Sequence, residues 1–292
     1  MGENRMKVAI IGSTGQLGSD ILEVFGEDAL PLSHDEIEIK DINNCRNVLK
    51  DIDTVINCAA YVKVDESEDH PEEAFMVNAI GARNIAMVCN EKQMKNIYIS
   101  TDFVFDGNMK KPYQEEDQPN PVNTYGLSKY AGEIFTRNYC TKFYIIRSSS
   151  LFGIKGARGK GGNFVDWMLK KANNNQIIKV VDNIIMSPTY TKDAATMIKN
   201  ITEKGLSYGT YHVANQGYCS WFEFAKKIFE FSDIDAKLLP IKSDELNRKA
   251  RRPKFSGLGS KKLNNFGLRM RNWEDALKDY LRKKYLNRKE VI

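Results

Sequence analysis

The sequence lacks long apolar runs. No window of its 292 residues approaches the roughly 18 consecutive apolar residues that a membrane-spanning helix needs. A short segment from Gly2 to Arg5, which contains two charged residues, leads directly into an apolar strand pattern, without the small-residue cleavage site of a secretory signal. We therefore expect a cytoplasmic protein with no membrane partner. Its 42% hydrophobic content is enough for one large domain, or for a major domain with a smaller lobe.

Cysteines are few, odd in number and far apart. None forms a C-x-x-C pair with another, which disfavours both a disulfide framework and a structural zinc site. The sequence predicts free thiols that are buried or half-buried, and it predicts no metal site. The five cysteines are Cys45, Cys58, Cys89, Cys140 and Cys219.

Positive charge is concentrated in one segment. The net charge is +5, but residues 242–292 carry 16 Lys or Arg against 6 Asp or Glu, which leaves 27 against 32 elsewhere. Such a segment can be a solvated helix face, or it can neutralise the phosphates of a small substrate. The aromatic-interleaved and helix-turn-helix patterns of nucleic-acid-binding proteins are missing, so no nucleic-acid partner is predicted.

Short apolar runs alternate with helical patterns in the first half of the chain. The runs lie at 7–12, 53–60, 95–101 and 143–149. Their continuous apolar character is typical of strands buried on both faces of a parallel sheet. Between them, residues 71–91 repeat apolar side chains at helical intervals. This order predicts an α/β fold with a Rossmann-type, doubly wound parallel sheet.

The pattern changes after residue 152. A loop rich in glycine and lysine (GIKGARGKGG) precedes a helix from about Phe164, and further helices are predicted from Trp221 to Phe231 and from near Trp273. We predict that residues 1–152 mainly form a dinucleotide-binding Rossmann domain. Residues 153–292 would mainly form a smaller α/β substrate lobe, with some segments returning to the Rossmann sheet.

Three glycines follow the first apolar run, with the spacing Gly12-x-x-Gly15-x-x-Gly18, and a helix is predicted from Gln16 to Phe25. Gly12 permits a tight turn, Gly15 lets backbone N–H groups approach phosphates, and Gly18 allows the helix to pack closely on the strand. The N terminus of the helix adds a partial positive charge. In this context the bend predicts a site for a dinucleotide pyrophosphate, and the absence of a following Walker lysine disfavours a kinase-type loop.

Tyr125 and Lys129 lie four residues apart at the start of a further helix, in the run YGLSK. Because they share a helix face, the ammonium would stabilise the phenolate, lower the pKa of Tyr125 and make the phenol a usable proton donor. The alternative is that the pair occurs by chance and that the aliphatic part of Lys129 only packs against the ring of Tyr125. Thr101 favours the catalytic interpretation, because it ends the strand KNIYIST, and ligands of open α/β sheets bind outside the carboxyl ends of the strands.

Together these motifs resemble the extended short-chain dehydrogenase/reductases, and within them the dTDP-4-dehydrorhamnose reductases. The resemblance covers nearly the whole chain. It rests on GSTGQLG at 12–18, NCAAYVKVDESE at 57–68, a helix start centred on Asn78, STDFVFDG at 100–107, YGLSK at 125–129, GE at 132–133 and RRP near Arg252. It implies an enzyme that uses NADPH or NADH to reduce the 4-keto group of a dTDP-linked 4-keto-6-deoxyhexose, converting dTDP-4-dehydrorhamnose to dTDP-L-rhamnose.

The resemblance also implies a role for particular residues. Thr101 would be the catalytic hydroxyl, Tyr125 the proton donor, and Lys129 the residue that tunes Tyr125 and holds the nicotinamide ribose. The cofactor would contact the bend, the pair after the run IEI, the loop after the fourth strand and the catalytic pair, namely Gly12, Thr14, Gly15, Gln16, Leu17, Gly18, Asp41, Ile42, Ala59, Ala60, Tyr61, Tyr125 and Lys129. The sugar would contact Val64, Thr101, Asp102, Phe103, Tyr125 and Ser150. The structural alternatives are tight packing for Ala59 and Ala60 and a strand-end cap for Asp102.

Neighbouring activities are disfavoured by their chemistry. The 4,6-dehydratases place an Asp-Glu pair directly after the threonine, whereas here Asp102 is followed by Phe103, so elimination lacks its acid–base pair. Epimerising reductases use an additional Cys or His pair, but the three histidines lie far from the triad in sequence. We expect one of them, His212, to be a structural strand residue.

Three departures from the family pattern leave the identity of the substrate sugar open. Ser150 stands where the family commonly has an aromatic residue, Phe255 replaces a small polar residue after the late R-P, and the loop after residue 152 is unusually basic. A related nucleotide-linked 4-keto sugar is therefore an alternative substrate.

The sequence also leaves two further points open: whether the cofactor carries a 2′-phosphate, and whether the protein is an enzyme. The segment LSHDE after the second strand offers no arginine for a 2′-phosphate and contains Asp35, so NADPH is favoured only weakly over NADH. From another functional class, a catalytically silent cofactor-binding subunit is an alternative. An intact Thr101, Tyr125 and Lys129 favours an enzyme. A homodimer is an open alternative for its assembly.

Overall fold

The computed structural model describes residues 6–155, 162–172 and 177–286, so most of the predicted basic loop lies outside the described residues. The strands are β1 (Val8–Ile11), β2 (Ala29–Leu32), β3 (Thr54–Asn57), β4 (Lys95–Thr101), β5 (Phe143–Ser148), β6 (Leu151–Phe152), β7 (Ile178–Val181), β8 (Ile185–Met186), β9 (Thr189–Tyr190), β10 (Gly209–His212), β11 (Cys219–Ser220) and β12 (Leu238–Ile241). The α-helices are α1 (Gln16–Phe25), α2 (Ile42–Val48), α3 (Glu66–Asp69), α4 (Pro71–Phe75), α5 (Ala82–Glu91), α6 (Thr124–Tyr139), α7 (Phe164–Ala172), α8 (Thr191–Glu203), α9 (Trp221–Ser232), α10 (Lys261–Asn265) and α11 (Trp273–Leu281).

Six strands form one parallel sheet in the order β10-β5-β4-β3-β1-β2. The chain enters at β1, adds the edge strand β2 on one side and then builds β3, β4 and β5 on the other. This is the doubly wound arrangement that the sequence predicts, and its switch point lies between β1 and β3. Ligands of such sheets bind at the carboxyl ends of the strands beside the switch point.

The predicted helix over residues 71–91 is confirmed, with one irregularity. A π-helical turn, Met76–Gly81, joins α4 to α5. The resemblance implied that Asn78 lies at a helix start. Asn78 instead lies inside this turn, between two helices. Single π turns inside helices frequently occur at functional sites, because they re-aim a side chain.

The run IEI at 37–39 is not a strand, although it follows the apolar alternation of one. Ile37 and Ile39 are buried beside α2 and α5, but the carbonyl oxygens of Ile39 and Lys40 accept hydrogen bonds from the side chain of Asn84, at 2.9 and 3.0 Å. Because this side chain takes the place of a strand partner, the segment remains irregular. The loop at 59–61 consequently follows the third strand, β3, and the prediction of a fourth strand before it is wrong.

Helices cover both faces of the sheet and enclose separate cores. On one face, α1 and α8 pack on Val8, Ile10, Ile97 and Ile146. On the other, α2 and α5 pack on a second set that includes Val55. A further core lies among α7, α9 and α11. Thus β10 and α8, from the second half of the chain, belong to the central sheet and its packing.

The basic C-terminal segment forms ion pairs with acidic residues elsewhere in the chain. Among the described residues, the ion pairs that join this segment to earlier parts of the chain include Lys249–Asp69, Arg252–Asp65, Lys261–Glu116, Arg271–Asp193 and Lys284–Asp166. These contacts account for much of the opposite charge of the two parts of the sequence. The pairs of Arg252 and Lys284 are mostly covered, so part of this charge has a structural use, whereas the pairs of Lys249 and Lys261 are exposed.

The predictions for the cysteines and His212 are confirmed. All five thiols are free, and only Cys58 is more than slightly accessible. His212 ends β10, is fully buried, and its Nδ1 lies 2.9 Å from the carbonyl oxygen of Gly259. Within the described ranges, no helix combines the length and apolar character that a membrane crossing requires.

Candidate active site

The glycine bend joins β1 to α1 at the switch point. Gly12 has φ +75°, and a Cβ there would lie only 2.9 Å from the backbone nitrogen of Ala59. A Cβ on Gly18 would overlap the carbonyl oxygen of Gly12. The first turn of α1 therefore packs closely on the bend at the end of β1, and both positions require glycine.

The N terminus of α1 is open to an anion. Gly15 precedes the helix and has no side chain to cap it, and the first turn contains no acidic residue. The Nε2 atom of Gln16 is buried and has no hydrogen-bond partner among the described residues. Free backbone N–H groups, the helix dipole and an unused amide donor together fit a pyrophosphate.

Asn78 fixes the loop after β3, a role that the sequence did not reveal. Its Oδ1 accepts from the backbone N–H of Tyr61 at 2.8 Å, and its Nδ2 donates to the carbonyl oxygen of Tyr61 at 3.1 Å. The same Nδ2 lies 3.0 Å from Ser128 Oγ on α6. The π turn thus ties the predicted cofactor loop, Ala59 to Tyr61, to the helix that carries Tyr125.

Thr101 and Tyr125 meet at the carboxyl edge of the sheet. Thr101 ends β4 and Tyr125 lies in the first turn of α6, and the Thr101 hydroxyl is close enough to the phenol to lower its pKa. Asn123 caps α6, because its Oδ1 accepts from the N–H of Gly126 at 2.7 Å. The ring of Phe103 lies edge-on to that of Tyr125, with centroids 5.8 Å apart.

Burial dominates the electrostatics of the phenol. It raises the pKa of Tyr125 to about 12, although the hydrogen bond with Thr101 lowers the pKa and the nearby charge of Asp102 raises it. The expected lowering of this pKa by Lys129 is therefore not found. Helical spacing correctly placed the two residues on one helix, but it could not show that the tyrosine is half-buried and the lysine fully buried.

Lys129 is held against β4. Its Nζ donates to the carbonyl oxygen of Ile99 at 2.6 Å and lies 4.2 Å from the ring centroid of Tyr98. The side chain is only 2% exposed. Burial lowers its pKa to about 7, while the charges of Glu133 and Cys58 oppose that shift. The ammonium is thus close to its point of deprotonation at neutral pH.

Asp102 is enclosed by three hydroxyl groups and is 3% exposed. Thr101 Oγ1 donates to its Oδ1 at 3.1 Å, while Ser149 and Ser256 donate to its Oδ2 at 2.8 and 2.5 Å. Burial raises the pKa of Asp102 to about 6, and the bonds from Ser256, Ser149 and Thr101 oppose this rise. Neither serine was predicted, because Ser256 lies 154 residues from Asp102 along the chain and no local pattern marks the pair.

The remaining predicted residues occupy the same edge of the sheet or the bend. Asp41 caps α2 by accepting from the N–H of Asn43 at 2.8 Å, and Ile42 begins that helix. Val64 is half-buried in the loop after β3. Ser150 follows β5 with φ +45°, and its hydroxyl is 3.5 Å from that of Ser149. In the bend, Thr14 is exposed, whereas Leu17 is buried in the core.

A parallel doubly wound sheet, a glycine bend at its switch point and a Thr–Tyr–Lys set at its carboxyl edge define a Rossmann-fold protein of the extended short-chain dehydrogenase/reductase type. A family model described as the RmlD substrate binding domain matches residues 6–286, and the chain belongs to this family.

Named relatives are similar along nearly their whole length. The spore coat polysaccharide biosynthesis protein SpsK of Bacillus subtilis is 36% identical over 95% of this chain and 98% of its own. The dTDP-4-dehydrorhamnose reductase of Mycolicibacterium smegmatis is 36% identical over 94% of this chain and 84% of its own. The crystal structure of dTDP-4-dehydrorhamnose reductase from Bacillus anthracis in complex with NADP is 39% identical, with a TM-score of 0.90 over 96% of this chain and 99% of that chain.

Proposed function

We propose that this chain is an NAD(P)H-dependent oxidoreductase that reduces the 4-keto group of a dTDP-linked 4-keto-6-deoxyhexose, with dTDP-4-dehydrorhamnose as substrate and dTDP-L-rhamnose as product. The observation that carries this proposal is the meeting of Thr101 and Tyr125, with Lys129 one helical turn away, at the carboxyl edge beside the glycine bend. The names of the relatives support the same substrate class.

The described residues fit a nicotinamide dinucleotide. The bend and the N terminus of α1 would hold the pyrophosphate, with Gln16 Nε2 as a further donor. Asp41 and Ile42 would contact the adenine end, and Ala59, Ala60 and Tyr61 the middle of the cofactor. When bound, the nicotinamide supplies the hydride for the sugar carbon. Lys129 would hold its ribose, and NADPH is favoured because NADP is bound in the similar Bacillus anthracis structure.

The raised pKa of Tyr125 suits reduction. At neutral pH the phenol stays protonated, because its pKa of about 12 is far above the ambient pH. An alkoxide that forms on the sugar is a stronger base than phenolate, so proton transfer from Tyr125 to that oxygen is downhill. A lowered pKa would help the reverse reaction, in which Tyr125 must accept a proton.

The side chain after Asp102 favours reduction over dehydration. Phe103 places an apolar ring against Tyr125, where a dehydratase would need a second carboxyl group. Val64, Asp102, Phe103 and Ser150 would surround the sugar. The substrate would enter between a dinucleotide domain, mainly 1–152, and a substrate lobe, mainly 153–292. The proposal includes a cytoplasmic location and a homodimer.

The proposal is tested by mixing the protein with NADPH, or with NADH, and a panel of dTDP-linked 4-keto-6-deoxyhexoses, while following the absorbance of the reduced nicotinamide. We expect cofactor oxidation with dTDP-4-dehydrorhamnose and formation of dTDP-L-rhamnose. Oxidation only with another nucleotide-linked keto sugar would identify the alternative substrate. Tight NADPH binding without turnover of any sugar would instead identify a silent cofactor-binding subunit.

A further inference from the structure

The single proton of the Thr101 hydroxyl is already engaged in a hydrogen bond. A threonine hydroxyl can donate one hydrogen bond and accept two. Thr101 donates its proton to Asp102 Oδ1 at 3.1 Å and accepts from the backbone N–H of Phe103 at 3.2 Å. In this arrangement Thr101 has no proton left to donate to a substrate oxygen.

Protonation of Asp102 would reverse the direction of the hydrogen bond between Thr101 and Asp102. Its Oδ2 is already engaged by the hydroxyls of Ser149 and Ser256, so the added proton would lie on Oδ1, which faces Thr101. Asp102 would then donate to Thr101, and Thr101 would be free to donate onward. Reduction needs donors aimed at the carbonyl oxygen, where negative charge develops.

We propose that Asp102 is a positioning residue for the reduction and acts through Thr101: its protonated form turns the Thr101 hydroxyl toward the substrate oxygen, and its ionised form turns it away. This inference rests on the proposed reductase function. The proton on Asp102 comes from water, whereas the proton delivered to the product comes from Tyr125. No other bond forms or breaks in the switch.

The groups that face Asp102 come from four elements. They are Thr101 at the end of β4, Tyr125 on α6, Ser149 after β5 and Ser256 in the segment after Pro253. Burial raises the pKa of Asp102 to about 6, so both forms are populated near neutrality. Because the competent form is protonated, kcat for reduction should fall as pH rises through this pKa.

The test removes one serine donor at a time. Ser149→Ala and Ser256→Ala each take away a hydrogen bond that favours the carboxylate, so the pKa of Asp102 should rise and the fall in kcat should move to higher pH by about one unit. Thr202→Val is the matched control, because Thr202 is buried but its hydroxyl donates to the carbonyl oxygen of Ile198 within α8. It should leave the position of the fall unchanged.

Asp102→Asn provides a second variant. Its amide cannot titrate, so whatever activity it retains should no longer fall across this pH range. A fall that stays at the wild-type pH in both serine variants would overturn the inference, as would a wild-type fall in Asp102→Asn. A lost hydroxyl that only loosens packing would lower kcat at every pH without moving the profile.

A titration that does not depend on turnover separates this inference from the proposed function. The carboxyl carbons of ¹³C-aspartate-labelled protein are followed by NMR over pH, and the Asp102 signal is identified by its loss in Asp102→Asn. We expect an upward pKa shift in both serine variants, and an unmoved pKa would overturn the inference. Shifted titrations in a protein that reduces none of the sugars would overturn the proposed function instead.

Discussion

Arg147 and Glu133 form a buried ion pair that joins the sheet to the catalytic helix. Arg147 Nε and Nη2 donate to the two carboxylate oxygens of Glu133 at 2.8 and 2.7 Å, and neither side chain is more than 1% exposed. Ser100 Oγ and Arg137 Nη2 also donate to Glu133, at 2.6 and 2.9 Å. Strands β4 and β5 are thereby fixed to α6, one turn beyond Lys129.

Glu133→Gln should destabilise the protein strongly. It leaves the guanidinium of Arg147 buried without a counter-charge, and breaking one side of such a pair typically costs about 3–5 kcal/mol. The free energy of unfolding is measured by urea denaturation. Glu91→Gln is the control, since Arg46 and Glu91 form a similar two-bond pair with 40% and 42% of their side chains exposed. Equal, small losses in both variants would contradict the structural role of Glu133.

Local patterns predicted the elements well, because strand and helix periodicity depend on neighbouring residues. Strands β1, β3, β4 and β5 and the helix over 71–91 were found this way. The same reasoning failed at IEI, where Asn84 supplies the hydrogen bonds that a strand partner would otherwise provide. A side chain more than forty residues away leaves no trace in a local pattern.

Long-range contacts set most of the chemistry of the candidate site. The spacing of Tyr125 and Lys129 predicted a tuned phenol, but burial decides both pKa values, and burial depends on the whole fold. The contacts of Asp102 with Ser149 and Ser256 join parts of the chain whose local motifs are unrelated. The sequence could propose candidate side chains, but it could not show the hydrogen bonds between them.

Tyr125→Phe should lower kcat by roughly 10²- to 10⁴-fold, because it removes the proton donor but keeps the ring. The dissociation constant for NADPH, measured by nicotinamide fluorescence, should change little. Tyr139→Phe is the matched control, since Tyr139 is 41% exposed at the far end of the same helix. A parallel loss of NADPH binding in Tyr125→Phe would count against its role as donor.

Lys129→Met should stabilise the fold while abolishing turnover. Burial lowers the pKa of Lys129 from 10.5 to about 7, so the native state releases this proton near pH 7 and the unfolded state near pH 10.5. Between these values the unfolded state binds more protons, and the wild type gains stability as pH rises. The advantage of the variant should be greatest below pH 7, on the order of a few kcal/mol, and should shrink toward pH 10.

Urea unfolding at pH 6, 8 and 9.5 measures this dependence. Lys226→Met on α9 is the control, because Lys226 is exposed. In this variant the free energy of unfolding should depend on pH as it does in the wild type. A variant less stable than the wild type at every pH would show that the bond to Ile99 and the contact with Tyr98 outweigh the cost of burying the charge.

Asp65→Asn should weaken binding of the sugar nucleotide more than binding of the cofactor. Arg252 Nη1 and Nη2 donate to the two oxygens of Asp65 at 2.6 and 2.7 Å, and the N–H of Ala250 donates to the same carboxylate at 3.0 Å. This pair holds the segment that leads to Ser256, which in turn contacts Asp102. Loss of the carboxylate should let the segment move away from the sugar side of the triad.

We expect KM for the dTDP-sugar to rise about tenfold in Asp65→Asn, with KM for NADPH nearly unchanged, because a bond to a charged group is worth on the order of 1–3 kcal/mol. Steady-state kinetics with each substrate varied in turn measures both. Asp69→Asn is the matched control, since the Lys249–Asp69 pair lies on the same two segments but is largely exposed. If both variants raised KM for the sugar equally, general loosening of the segment, and not the Arg252 contact, would be responsible.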